Sequence, residues 1–302
     1  MVIWALSILI VLSVVFGAST AAHLKATRNA IDNARAEALA DAGIELAVLD
    51  RMRWRATNSP ARFPRDGRPV ACSMAHGDRL VIAVEDEVGK VDLNMGDEGL
   101  VAAALRAAGM DQSEAARLAA RILDYSDSDS LRRADGAEAV EYDREGLAGP
   151  KNRPLDAIEE VEQVLGAPQG LAEALASYAT IYSGQRAIDR NFAAPRLVAA
   201  LAGGGALAMD LADTSRMEGG LAARQTGPSA GAAAGGAGGR AFRIVAEAQT
   251  VQGAVFVREA VLDFTGTGTD GYTFRRWRRG SRLTGDGGRA EEALAAADAQ
   301  PC

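Results

Sequence analysis

The 302-residue chain is poor in the side chains from which catalytic and metal sites are most often built. It has two histidines, His23 and His76, and two cysteines, Cys72 and Cys302. No Ser-His-Asp or Cys-His set is apparent, and no pair of carboxylates stands out for acid–base work. The chain is therefore expected not to be an enzyme. Two cysteines exclude a disulfide-rich scaffold. They can pair in an oxidising compartment or remain unrelated thiols, and the sequence leaves both open. Aromatic residues make up only 5%, so any core must be built from Ala, Leu, Val and Ile. A net charge of −7 and a pI near 5.1 argue against a general nucleic-acid surface.

What the chain does have is a long uncharged start. Val2 to Ala22 carries no charged residue, and about 20 apolar residues suffice to cross a bilayer as one helix. A secretory signal peptide has a shorter apolar core followed by a break. Here a helical pattern continues instead, with no Pro and one Gly, Gly43, between Ala22 and Asn58. The reading is a membrane helix that extends into water as one rod and ends at Asn58-Ser59-Pro60. Ile31, Ala34, Ala38, Ala42 and Leu46 recur at helical spacing and are read as its packing face. Lys25 and Arg28 follow the apolar run, and nothing charged precedes it. Taken literally, the positive-inside rule puts the body in the cytoplasm. The reading adopted is that the true N-terminus lies upstream, which turns the body to the periplasm; a cytoplasmic body is the alternative.

Beyond the rod, residues 61–77 read as loop. Arg79–Asn94 reads as two short strands with a turn near Glu87-Val88-Gly89. GDEGLVAAALRAAG and DQSEAARLAARILDYSD, residues 96–109 and 111–127, read as two helices, the second capped by Asp111 with Glu114 in the capping-box position. Residues 124–150 are loop-like and rich in carboxylates. A helix over LDAIEEVEQVLG follows, then a second that runs into a short extended piece. Val91-Asp92-Leu93-Asn94 and Ile188-Asp189-Arg190-Asn191 form a weak repeat, each with an Asn opening a helix, in the manner of helix–hairpin–helix units. Residues 202–240 hold a Gly/Ala-rich linker. Strands return over Ala241–Phe264, with a turn at Gln252-Gly253. Tyr272–Arg278 reads as an edge strand whose arginines protect it. Strands on both sides of the helical block imply one sheet with that block inserted.

These segments, taken in order, resemble the type II secretion minor pseudopilin family called general secretion pathway protein K. The resemblance rests on VIWALSIL, ARAEALADAGIELA, VGKVDLN, ILDYSDSD, DGAEAVEYD, GPKNRPLDAIEEVEQVLG, IYSG and IDRNFAAPRLVAAL, spanning about residues 2–201. It implies an α+β, pilin-like fold: a long N-terminal helix packed on a small antiparallel sheet, with an inserted all-helical, helix-hairpin-helix-like domain. The division expected is a transmembrane part at 1–24, pilin-like helix and first strands at 25–94, the inserted domain at 95–201, the linker at 202–240, C-terminal strands at 241–284 and a disordered tail at 285–302. It also implies processing by a prepilin peptidase, a single-pass inner-membrane position with a periplasmic body, and partnership with minor pseudopilins I and J and the other pseudopilins at the tip of the pseudopilus. The chain departs from the family in having no basic leader before Val2 and in its long Gly-rich stretch. The first acid is Asp32; members of the family resemble this chain in lacking the early Glu that pairs with a neighbour's amine, which suits a tip position.

Asp124, Asp127, Asp129, Asp135 and Glu138 lie in one loop, with Glu141 and Asp143 nearby. Ca²⁺ takes six to eight oxygen ligands. The EF-hand pattern fails because Leu131 stands where a third oxygen side chain is needed. By residue type alone, a solvated acidic loop explains the run as well as a metal does. The family resemblance implies calcium here, with Asp124, Asp127, Asp129, Asp135 and Glu138 as the expected ligands. A competing reading is a membrane-anchored helix-hairpin-helix DNA-binding protein of a competence-type uptake system. The hairpins Ala108-Gly109-Met110-Asp111 and Leu165-Gly166-Ala167-Pro168 argue against it: each lacks a second Gly, Asp111 repels phosphate and Pro168 removes a donor. No nucleic-acid partner is expected.

Overall fold

The computed structural model describes residues 2–57, 59–205, 240–264, 271–283 and 302. The linker and tail expected at 202–240 and 285–302 lie largely outside these. The chain divides into two compact units, one of Met1–Glu85, Arg243–Leu262 and Phe274–Cys302, the other of Asp86–Phe242 and Asp263–Thr273.

The first unit is built on α1 (Val2–Thr57) and a sheet of β1 (Val70–Ser73), β2 (Arg79–Asp86), β5 (Ala241–Gln249), β6 (Val255–Asp263) and β7 (Thr273–Arg279), in the order β1-β2-β5-β6-β7. The strands on either side of the helical block thus meet in one sheet, and β7 lies at its edge. β1 falls in a segment expected to be loop; it pairs antiparallel with β2, Cys72 opposite Leu80.

α1 buries Ala36, Ala40, Gly43, Ile44 and Ala47. This is not the face read from the sequence: Ile31 is 65% exposed, and Ala34 and Ala38 are exposed too. Alanine is spread round this helix, so more than one 3.6-residue register fits the pattern. Gly43 decides between them. A Cβ there would come within 2.9 Å of the Ala246 Cβ and 3.0 Å of Leu80, so the helix lies on the sheet where it has no side chain. Arg258 then fastens helix to sheet, with Nη2 2.7 Å from Glu37 Oε1 and Nε 2.5 Å from Asp41 Oδ1.

Along Val2–Phe16 large apolar side chains are exposed, among them Ile3, Trp4 and Phe16 at 75% or more. Counted over the described residues alone, no helix is long and apolar enough to cross a membrane; the side chains at 5, 8, 11, 18 and 21 are not among those described.

The second unit holds α2 (Glu98–Ala107), α3 (Gln112–Ser126), α4 (Ala139–Arg144), α5 (Leu171–Leu175) and α6 (Pro195–Leu201), with β3 (Val91–Asp92) and β4 (Ala179–Thr180). β3 does not form a hairpin with β2, as the sequence led us to expect. It pairs in parallel with β4. LDAIEEVEQVLG is a 3₁₀ turn over Ile158–Gln163 rather than an α-helix, and α4 lies in the stretch expected to be loop. The core centres on Val101, Leu105, Leu118, Ile122, Leu175 and Leu197.

Candidate functional site

Two constructions in the helical unit carry the motifs singled out above. The first is a clasp around Asp92 and Asn94. Asp92 is almost fully buried, and its Oδ2 accepts hydrogen bonds from Gly184 N at 2.7 Å and Ser183 Oγ at 3.2 Å. Its Oδ1 accepts from Asn94 N at 3.0 Å. Burial pushes its pKa up, against the pull of these donors. Asn94 does not open α2; Asp97 caps that helix by accepting from Leu100 N. The Asn94 amide instead binds the backbone of Leu155 twice, accepting from its N at 2.8 Å and donating to its O at 3.0 Å. VDLN therefore ties together segments some sixty and ninety residues away. The corresponding Asn191 donates from N and Nδ2 to Asp189 Oδ1, and α6 opens at Pro195 after Ala194 with no side-chain cap.

The second is the carboxylate loop between α3 and α4. α3 starts at Asp111, whose Oδ1 accepts from Ser113 N and Glu114 N, both at 2.8 Å. That carboxylate caps the helix, and in the hairpin before it the amides of Gly109 and Met110 donate to Arg106 O at 2.9 Å and Leu105 O at 3.1 Å. α3 turns Ala115, Leu118, Ala119 and Ile122 to the core and brings Asp124, fully buried, to its end. Arg133 Nη1 lies 2.5 Å from Asp124 Oδ1 and 2.6 Å from Asp127 Oδ2. Arg133 N also donates to Asp124 Oδ2 at 3.2 Å. The hydrogen bond to Asp127, then that to Asp124, raises the guanidinium pKa against partial burial. Gly136 closes the loop over Asp124, so near that a Cβ would overlap Oδ2.

The expected ligands are thus partly assembled. Asp124 and Asp127 share one cation, Arg133. Glu138 is 6% exposed, and burial first, then the charges of Asp124, Asp127 and Asp129, pushes its pKa up. Its two carboxylate oxygens and Asp127 Oδ1 are buried with no hydrogen-bond partner. Asp129 turns aside, its Oδ1 accepting from Leu131 N at 2.8 Å. Asp135 is exposed. Sequence reasoning missed Arg133, although two adjacent arginines within an acidic run are a signal for internal pairing. It also missed Asn152, held at φ 50° with N donating to Tyr125 O at 3.0 Å and its Oδ1 buried without a partner.

Ca²⁺ fits this loop in donor chemistry: the side-chain atoms are hard oxygens, and several are buried and unsatisfied. It does not fit the geometry as it stands. Among the described residues no three acidic, His or Cys side chains are placed to hold a metal, and the point between Asp124 and Asp127 is taken by Arg133.

Residues 89–184, which lie within this unit, match the family model described as Type II secretion system (T2SS), protein K. No curated protein matches the chain. Among solved structures, a chain in the crystal structure of the GspK-GspI-GspJ complex from the enterotoxigenic Escherichia coli Type 2 Secretion System is similar at 16% identity, with 87% of this chain and 100% of that chain covered and a TM-score of 0.46.

Proposed function

We propose that this protein is a minor pseudopilin of the K type, a non-enzymatic part of the tip complex from which a type II secretion pseudopilus starts. The observation that carries the reading is the protein K match over residues 89–184. That segment takes in the Asp92–Asn94 clasp and the carboxylate loop. A long helix seated on an antiparallel sheet agrees with it. Under this reading the partners are minor pseudopilins I and J, then the other pseudopilins, and a prepilin peptidase processes the precursor.

The place of the protein is a single-pass inner-membrane helix with a periplasmic body. The uncharged run to Ala22 is long enough to span, and among its described side chains the large apolar ones from Val2 to Phe16 are exposed. The Cys72–Cys302 disulfide supports an oxidising compartment for the body.

The carboxylate loop is proposed to hold structural Ca²⁺ through Asp124, Asp127 and Glu138, with Asp129 and Asp135 completing the set once the loop adjusts. The unpartnered oxygens of Glu138 and Asp127 support this. Arg133 must leave its present position for the ion to enter. Millimolar Ca²⁺ is expected to raise the melting temperature, and Arg133→Ala to lower the Ca²⁺ concentration needed. If neither protein responds, the metal reading fails.

The test of the main reading is co-expression with pseudopilins I and J of the same organism. A stable complex of the three is expected on co-purification, with loss of protein export when this chain is deleted. Normal export in the deletion strain, together with no complex, would overturn it.

A further inference from the structure

Lys25 and Arg28 follow the uncharged run directly, and the fold does not use them. Both are exposed and make no ion pair among the described residues. With Asp32 and Arg35 they recur at intervals of three and four, so the four share one face of α1. The later two are tied to the sheet. Asp32 Oδ2 accepts from Thr250 Oγ1 at 3.0 Å. Arg35 Nε donates to Asp78 Oδ2 at 2.9 Å, and Asp78 Oδ1 accepts from Val251 N at 3.1 Å. Asp78 is 1% exposed. The turn after β5 and the turn before β2 are thus fixed to α1 at this level.

Both turns point back along α1 towards Ala22. β5 passes Gly43 at Ala246 and reaches the level of Asp32 at Thr250; β2 leaves the level of Arg35 at Asp78 and passes Gly43 at Leu80. Beyond these levels His76-Gly77 and Val251-Gln252-Gly253 are exposed, Val251 by 62%. The two turns touch, since a Cβ on Gly77 would lie 3.2 Å from Val251 Cγ2. Ten residues separate Ala22 from Asp32, about 15 Å of helix. Lys25 and Arg28 lie about 5 and 9 Å past Ala22. A headgroup layer is about 5–7 Å deep, and their long side chains reach back into it. The turn beyond Thr250 extends about 3–6 Å towards the same layer. A tilt of about 20° towards the sheet, ordinary for a membrane helix, lowers it by a few ångströms more.

We propose that this end of the first unit rests on the bilayer and holds an anionic phospholipid headgroup: the phosphate sits between the Lys25 and Arg28 side chains, and the turns carrying His76 and Val251 lie against the headgroup layer. This contact requires that Val2–Ala22 span the bilayer, and so rests on the membrane placement proposed above. Overall charge does not produce it, because the chain carries −7; two cations at headgroup depth do. Asp32, the acid on that face, is half-buried and engaged by the Thr250 hydroxyl. Docking there sets the tilt of the first unit, because its turns and α1 are bonded together.

The test uses the full chain in vesicles of phosphatidylcholine alone or with about one third phosphatidylglycerol. A polarity-sensitive fluorophore is attached through Val251→Cys; Cys72 and Cys302 are bonded to each other and do not take the label. Its emission is expected to shift to the blue with phosphatidylglycerol and to stay water-like in phosphatidylcholine alone. The same label through Leu49→Cys, at an exposed position about 25 Å farther along α1 than Asp32, is expected to stay water-like in both. Lys25→Gln with Arg28→Gln is expected to lower the ratio of docked to undocked chain at least about tenfold. Alkaline extraction reads the span separately. Chain stripped from the vesicles by alkali overturns the membrane placement and this contact with it. Chain that stays overturns the headgroup contact alone if the Val251 label remains in water in both lipids, if the double change leaves its shift intact, or if the shift follows protein density rather than phosphatidylglycerol.

Discussion

Gly136 lies directly against the carboxylate of Asp124, and no side chain of any size fits between them. The loop that presents the acidic residues is folded onto its one fully buried member. Gly136→Ala is therefore expected to force Asp124 or the loop aside. A small overpacked substitution of this kind costs about 1–3 kcal/mol. A lowered melting temperature, with the fold kept by circular dichroism, is the outcome to look for; an unchanged one would mean that the loop is free to move off α3.

Glu259 is a buried carboxylate held well below the usual range of its kind. Burial alone would raise its pKa; Arg243 and Arg278 overcome this and hold it down at about 2. Arg243 Nη2 is 2.8 Å from Oε2, and Arg278 Nη2 is 2.9 Å from Oε1. The folded value lies below the ordinary 4.5. The stability from this group is therefore present above that ordinary value and is lost as pH falls through it towards about 2. The amount is about 3 kcal/mol. Urea unfolding midpoints measured down through this range are expected to fall more steeply for wild type than for Glu259→Gln. Parallel curves would show that the carboxylate contributes nothing to the acid loss.

The disulfide joins residues 230 apart in sequence. Cys302 is also held by its backbone, N donating to Ser73 O at 3.0 Å and O accepting from Arg62 Nη1 at 2.6 Å. Reduction, or Cys72→Ser with Cys302→Ser, is expected to cost about 2–4 kcal/mol. Melting with and without dithiothreitol checks this: the reductant should shift wild type and leave the double variant where it is.

The ends of α2 and α6 are joined by two arginines. Arg106 Nη2 donates to Ala200 O at 2.5 Å, and Arg196 Nε donates to Ala107 O at 3.1 Å. Each satisfies a carbonyl near the end of the other's helix. Arg106→Ala is expected to destabilise the helical unit by about 1.5–3 kcal/mol, the range for a hydrogen bond from a charged group. Hydrogen exchange at the C-terminal turn of α6 should rise in the variant, and protection equal to wild type would show that the cap is dispensable.

Local signals account for what the sequence determined. The unbroken rod to Thr57, the Asp111 cap, the hairpin turn at Gln252-Gly253 and the edge strand of arginines are all set within a few residues, by propensity, a capping carboxylate or a turn. The acidic loop and its candidate ligands were legible for the same reason. Tertiary structure decided the rest, because the partners are far apart in the chain. Alanine on several faces of α1 left its packing side open until Gly43 met Ala246 and Leu80. β3 chose β4 over its neighbour β2, and Asn94 bound Leu155 instead of capping α2. The two cysteines became one bridge. Most tellingly, composition could count the carboxylates between Asp124 and Glu138, but only folding could place Arg133 between two of them and leave Glu138 buried without a partner. Charge is a property of the sequence; its neutralisation depends on which groups the fold brings within about 3 Å of each other.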